Sequence, residues 1–282
     1  MDNNTITVTL LPEEKTELET RWEKAGIGDD FIFSCVMRNP ELFLKLMQRI
    51  FPELNLTRVA KHSPQMTFLA PAGSKSVRYD VYSEINGRSF DVEMQMESRG
   101  NEPRRTRYYQ CLMDEQVLHT GEDYAQLPDS YIVMISPHDL FHKGRHIYRF
   151  RNFEERDRDL ALEDGTVKVF LNSRGTADDI LPDLKNFLDL VNGKEPADDF
   201  CLQIDKAVQA AKLDAETRRN FMDFEYTRRL DRIDSEKKGR REERLENYAS
   251  LVRDGLLPLA TAMERSKLSE AEIEQWISRH PS

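Results

Sequence analysis

Cysteine is scarce in this chain. There are three in 282 residues, Cys35, Cys111 and Cys201, far apart and with no Cys-x-x-Cys pair. That spacing excludes a disulfide framework and a thiolate zinc cluster, and the expected compartment is a reducing one, the cytoplasm. No stretch approaches the ~18 consecutive apolar residues of a membrane span, so no membrane partner is expected. The opening MDNNTITVTLLPEEK has neither a basic start nor a continuous apolar run, which argues against a signal peptide. Neither Gly-x-x-x-x-Gly-Lys-Ser/Thr nor Gly-x-Gly-x-x-Gly occurs, so no nucleotide-cofactor loop is expected. Positive charge is in deficit, with 41 Lys and Arg against 51 Asp and Glu and a net charge of −10. A nucleic-acid partner would have to be met by basic residues concentrated locally.

What the chain does have is a strong hairpin signal. In RYDVYSEINGRSFDVEMQ, Arg78 to Gln95, the residues Val81, Ile85, Phe90, Val92 and Met94 alternate with polar ones, the period of a strand. Asn86-Gly87 is the preferred pair for a two-residue type I′ turn. With that loop, Ile85 faces Arg88, Ser83 faces Phe90, and Asp80 faces Glu93. Two carboxylates then sit on one face with Cβ atoms about 5 Å apart, an arrangement that destabilises a sheet unless something neutralises it.

The surrounding elements give the hairpin a context. Residues 30–51 read as helical, with Asn39 capping and Pro40 in the first turn before the stripe Leu42, Phe43, Leu46, Met47 and Ile50. A short strand is expected near Val59. Pro103 to Thr120 reads as a helix closed by Gly121. In it, Tyr108 or Tyr109 is expected to face the core with Cys111, Leu112 and Leu118. SYIVMIS, Ser130 to Ser136, is the continuous apolar run of a strand buried on both faces. HIYRFRN and TVKVFLN read as two more strands, with Asp164-Gly165 as a turn. The expected organisation is a polar N-terminal segment (1–28), an α/β core with appended strands (29–175), a helical region (176–234), and a charged helix with a small helical tail (235–282). Ser269 and Glu272 form a capping box for the last helix.

A divalent cation between Asp80 and Glu93 would relieve their repulsion. Mg²⁺ prefers carboxylate oxygen and keeps several waters. Such an ion activates water and stabilises charge on a phosphate under attack. Gln95 shares the face of Glu93 and could orient that water or contact the phosphate. In the next helix, Arg104, Arg105 and Arg107 crowd the first turn, where the helix dipole disfavours cations. A bound anion would resolve the conflict, and DNA phosphate suits arginine geometrically. Tyr108 is a candidate contact to sugar or phosphate.

The pattern Asp80…Glu93-Met94-Gln95 resembles the D…(D/E)xK signature of the PD-(D/E)XK nucleases. With the Arg/Tyr-rich helix RRTRYYQ, GEDYAQLPDSYIVMIS and the charged C-terminal helix, the chain is similar to the recombination-promoting nuclease/putative transposase family. The resemblance spans roughly residues 27–280. It implies a restriction-endonuclease-like αβββαβ core with a mixed sheet, an extra β-hairpin and a helical C-terminal extension. It further implies Mg²⁺- or Mn²⁺-dependent cleavage of DNA, in a setting of DNA mobility, recombination or defence. Asp80 and Glu93 are then metal ligands with the Met94 carbonyl as a third, Asp30 on the first helix completes the site, and Gln95 stands where the superfamily has Lys. An amide can neither act as a general base nor carry positive charge. The opposed expectation is therefore a catalytically inactive relative that binds DNA or a protein.

Three other features read as bland. His138, His142 and His146 mimic metal-ligand spacing, but Pro137 and Gly144 bracket them and leave a loop. The basic residues of 228–244 are interleaved with acids, as on a solvated or self-associating helix. The final helices have an acidic ending unlike a recognition helix, and are candidates for homo-oligomer contacts.

Overall fold

The computed structural model describes residues 12–64, 67–68, 77–78, 80–98, 100–118 and 121–280. Helices α1 (Pro12–Lys24), α2 (Asp30–Val36) and α3 (Pro40–Ile50) lead into strands β1 (Val59–Pro64), β2 (Thr67–Phe68), β3 (Val77–Arg78), β4 (Val81–Ile85) and β5 (Arg88–Met94). Helix α4 (Glu102–Val117) crosses to β6 (Ser130–Ser136), followed by β7 (Ile147–Phe150) and β8 (Thr166–Asn172). Five further helices close the described chain: α5 (Pro182–Val191), α6 (Asp199–Leu213), α7 (Ala215–Arg253), α8 (Leu259–Ser266) and α9 (Glu270–Arg279).

Among the described residues the main sheet has six strands in the order β1-β4-β5-β6-β8-β7, and β2 pairs separately with β3. β1, β4 and β5 run antiparallel in succession. β5, β6 and β8 are parallel, and β7 returns antiparallel on β8. Helix α3, strands β1, β4 and β5, helix α4 and strand β6 are the expected αβββαβ series on a mixed sheet. The crossover helix is required because parallel neighbours cannot be joined by a tight turn.

The hairpin register is the one its turn dictates. Asn86 and Gly87 both have positive φ, 50° and 74°. Ile85 pairs with Arg88, and Ser83 with Phe90. A type I′ turn demands that backbone, which Asn and Gly adopt at least cost. The Asn86 side chain also accepts from the Thr57 and Arg58 amides, at 3.2 and 2.9 Å, locking the turn to the approach of β1. β6 is buried along its whole length between two parallel neighbours.

On one face of the sheet Phe90 stacks on Tyr131, 4.8 Å between centroids, and Phe51 from the end of α3 packs edge-on against Tyr131. The opposite face carries Tyr82 and Ile132, covered by Tyr109, Leu112 and Met113 of α4. So Tyr109 is the core tyrosine of its pair, while Tyr108 is half-buried at the edge of that cluster. Cys111 is exposed, contrary to expectation, because the helix turns it away from the sheet. α4 also ends earlier than expected, at Val117, where Leu118 is already extended. His119 and Thr120 lie outside the described residues.

The N-terminal stretch departs from the sequence expectation as well. Pro12–Lys24 is a helix that buries Leu18 and Trp22. Two apolar residues four apart are enough to seat it, yet too few to stand out in a polar sequence.

The chain divides into two compact units, one ending at Arg219 and the other beginning at Asn220, inside α7. In the second, Ala249 of α7, Ala262 of α8, and Leu268 and Ile273 around α9 form a small core of their own. The Ser269–Glu272 capping box is present there.

In the first unit, Arg49 of α3 grips Asp198, the N-cap of α6, through two bonds of 2.8 and 3.1 Å. Burial would raise the Asp198 pKa, but bonds from Arg49, the Cys201 amide and Asn186 outweigh it and hold the carboxyl well below the usual carboxylate range. Asp198→Ala is expected to cost about 2–3 kcal/mol, from a lost cap and charge-assisted bonds. A depressed pKa contributes its full stability above the unfolded value, and that contribution declines below it until the folded pKa is passed. The difference between parent and variant should therefore shrink as pH falls through about 4, which urea titrations at pH 7 and pH 3 would measure.

Candidate active site

Alternation along β5 sends Asp91, Glu93 and Gln95 to the face that α4 covers. All three side chains are buried, Asp91 completely. Asp80 comes immediately before β4, next to Val81, whose partner on β5 is Val92. It therefore sits opposite Glu93. The two are interlocked: the Asp80 amide donates to Glu93 Oε1 at 3.0 Å, and the Met94 amide donates to Asp80 Oδ2 at 3.0 Å. Met94 thus meets Asp80 through its amide. Its side chain is buried.

Helix α2 reaches the same place. Ser34 Oγ donates to the Asp80 carbonyl at 3.3 Å. Asp30, in the first turn of α2, is close enough for its charge to raise the pKa of both Asp80 and Glu93. Asp29 caps the helix, accepting from the Phe31 and Ile32 amides.

The arginines of α4 divide. Arg104 and Arg107 are exposed. Arg105 turns inward: Nη2 donates to Glu93 Oε2 at 2.9 Å, Nη1 to Gln95 Oε1, and Nε to the Tyr109 hydroxyl at 2.8 Å. Gln95 is held from its other end too, its Nε2 donating to the Glu97 carbonyl at 2.5 Å.

Electrostatics make this a strained cluster. Asp80 is pushed well above the carboxylate range by burial and then by Glu93. Asp91 is pushed well above by burial, then by Glu93 and Asp80. Burial also raises Glu93, with Arg105 pulling it partly back. Neither oxygen of Asp91 finds a hydrogen-bond donor among the described residues. Its polar neighbour Glu93 is another carboxylate, and two carboxylates can bond only with a proton between them. Asp91 was not singled out from the sequence, although DVEMQ places it in phase with Glu93 and Gln95.

Fully ionised, Asp80, Asp91 and Glu93 against Arg105 leave two negative charges in excess. A donor set of carboxylate oxygens with that excess fits a hard divalent cation. Among the described residues no three His, Cys, Asp or Glu side chains already converge as a cage. Here Asp80 Oδ2 and Glu93 Oε1 are each turned to a backbone amide.

The histidines after β6 do not converge. His138 donates to the Met96 carbonyl at 2.9 Å, and His146 to Asp179 at 3.1 Å. Asp139 organises the loop, accepting from the Phe141, His142 and Gly144 amides and the Tyr148 hydroxyl.

Among the described residues no helix is long and apolar enough to cross a membrane. No curated protein and no solved structure matches the chain. A family model does: that of the PD-(D/E)XK nuclease family transposase, over residues 31–172, which takes in the whole αβββαβ series from α3 to β6 together with β7 and β8. On the match and the fold together, this chain belongs to the PD-(D/E)XK nuclease transposase family.

Proposed function

We propose that this protein is a Mg²⁺- or Mn²⁺-dependent DNA endonuclease acting in the cytoplasm, in DNA mobility, recombination or defence. The observation that carries the reading is the mutually repelling pair of half-buried Asp80 and buried Glu93, with Asp91 beside them lacking any donor among the described residues. Asp80, Glu93 and the Met94 carbonyl would hold the metal, with Asp30 completing the negative field. When bound, the ion lowers the pKa of water and stabilises charge on the phosphate. In the reaction, a water oxygen bonds to phosphorus and one ester P–O bond breaks. The water gives up a proton, and the leaving oxygen gains one.

The protein's own groups divide the remaining work. Glu93, whose pKa burial raises, would take the water proton. Gln95 cannot take a proton, and its role is positioning. Arg104 and Arg107, both exposed, would engage the DNA backbone together with Tyr108. The C-terminal helices are candidates for contact with a second copy.

Nicking of supercoiled plasmid with and without Mg²⁺ tests the reading, with metal binding followed by calorimetry. Metal-dependent nicking is expected. A preparation that binds DNA but cuts under no divalent metal would leave the inactive binding module, which an amide at Gln95 in place of a lysine favours.

The exposed arginines give a separate prediction. Replacing Arg104 and Arg107 together with Gln should flatten the salt dependence of duplex binding by about two units, because each phosphate left unneutralised keeps about one counterion. Fluorescence anisotropy across a salt series measures it. An unchanged slope would move the footprint elsewhere, with the 228–244 segment next in line.

A further inference from the structure

The β5 strand offers an amide at the position where a cation would face the phosphate, yet a cation is present beside it. We propose that Arg105, reaching in from α4, supplies the positive charge toward the scissile phosphate that a lysine at position 95 would otherwise supply. The inference rests on the nuclease reading above.

Three observations carry it. First, Gln95 is seated to receive Arg105. Its Oε1 accepts from the guanidinium while the Glu97 carbonyl holds its Nε2. Ion pairing with Glu93 alone would not require that second acceptor. Second, a guanidinium has five N–H groups, and the bonds to Glu93, Gln95 and Tyr109 use three. Two, one on each Nη, are left for a phosphate oxygen. Third, the Arg105 side chain keeps 24% of its exposure against 3% for Glu93. The arginine is therefore the more exposed member of the pair.

A lysine at 95 and an arginine at 105 would set an ammonium against a guanidinium. The two solutions exclude one another, so Gln on the strand and Arg on the helix belong together.

The decisive experiment is a double-mutant cycle. Parent, Arg105→Gln, Gln95→Lys and the combined variant are compared by single-turnover cleavage of labelled duplex at saturating Mg²⁺. Duplex binding in chelator is measured across a salt series in parallel. Arg105→Gln should slow cleavage by about 10²–10³-fold, as expected for a positioned donor in a water-poor site. It should also flatten the salt slope by about one unit. Gln95→Lys alone should be impaired by the clash of charges. The combined variant should recover to within about tenfold of the parent and regain the slope, which removal of a merely structural bond would not produce.

The combined variant keeps a cation beside Glu93, so it decides the matter even where Arg105→Gln melts early. No recovery in it overturns the proposal, as does parental activity in Arg105→Gln. A parent that cuts under no divalent metal overturns the nuclease reading and this inference together. A parent that cuts while Arg105→Gln cuts equally well overturns this inference alone.

Discussion

Asp80→Asn should lower single-turnover cleavage by about 10³-fold or more, while its melting temperature in chelator holds or rises. The rate loss would follow from losing one of the proposed metal ligands. The Lewis-acid contribution of such an ion is several kcal/mol, and each 1.36 kcal/mol is a factor of about ten. The stability follows from the geometry. Asp80 Oδ2 accepts from the Met94 amide, and an asparagine oxygen can take over that bond. What disappears is the charge that faces Glu93 in a buried place, where like charges raise each other's pKa. Melting followed by circular dichroism in chelator, beside cleavage at saturating Mg²⁺, separates the two effects. A fold that collapses on this change would make Asp80 structural, and full activity would remove it from the site.

Much of this arrangement was legible in the sequence, because a two-residue turn is a rigid instruction. Asn86-Gly87 fixed the pairing of Ser83 with Phe90 and so brought Asp80 opposite Glu93. The apolar run Ser130–Ser136 needed two parallel neighbours and has them. Other parts were written in weaker signals. Arg104, Arg105 and Arg107 look alike in one dimension. Only the helical phase that joins Arg105 to Tyr109 and Leu112 marks one of them as inward, and it competes with solvated charges nearby. Asp91 was in view inside DVEMQ, but a buried carboxylate with no donor is a property of the packed state. The α1 helix rests on Leu18 and Trp22, too little hydrophobic pattern to distinguish it from a polar segment.

Asp91 gives the sharpest dependence on pH. Its pKa is raised in the folded protein, so the sign is the reverse of an ordinary salt-bridged aspartate. Near pH 3, below the unfolded value of about 3.9, both states carry the proton and Asp91 costs nothing. As pH rises, the unfolded chain releases its proton first, and stability is lost until the folded pKa is passed. In chelator, the parent should therefore lose stability from pH 4 to pH 7. Asp91→Asn should remove part of that slope. Its amide N–H groups can donate to the neighbouring Glu93, where two carboxylates repel. The expected gain at pH 7 is about 1–3 kcal/mol, the scale of an unsatisfied buried polar group, with little difference near pH 4. Adding Mg²⁺ at pH 7 should raise the melting temperature of the parent more than that of the variant, since a cation neutralises the charge the variant lacks. Urea titrations at the two pH values, with and without Mg²⁺, measure all of these differences. An Asp91→Asn protein less stable than the parent at pH 7 in chelator would mean that Asp91 is ionised there and held by a donor.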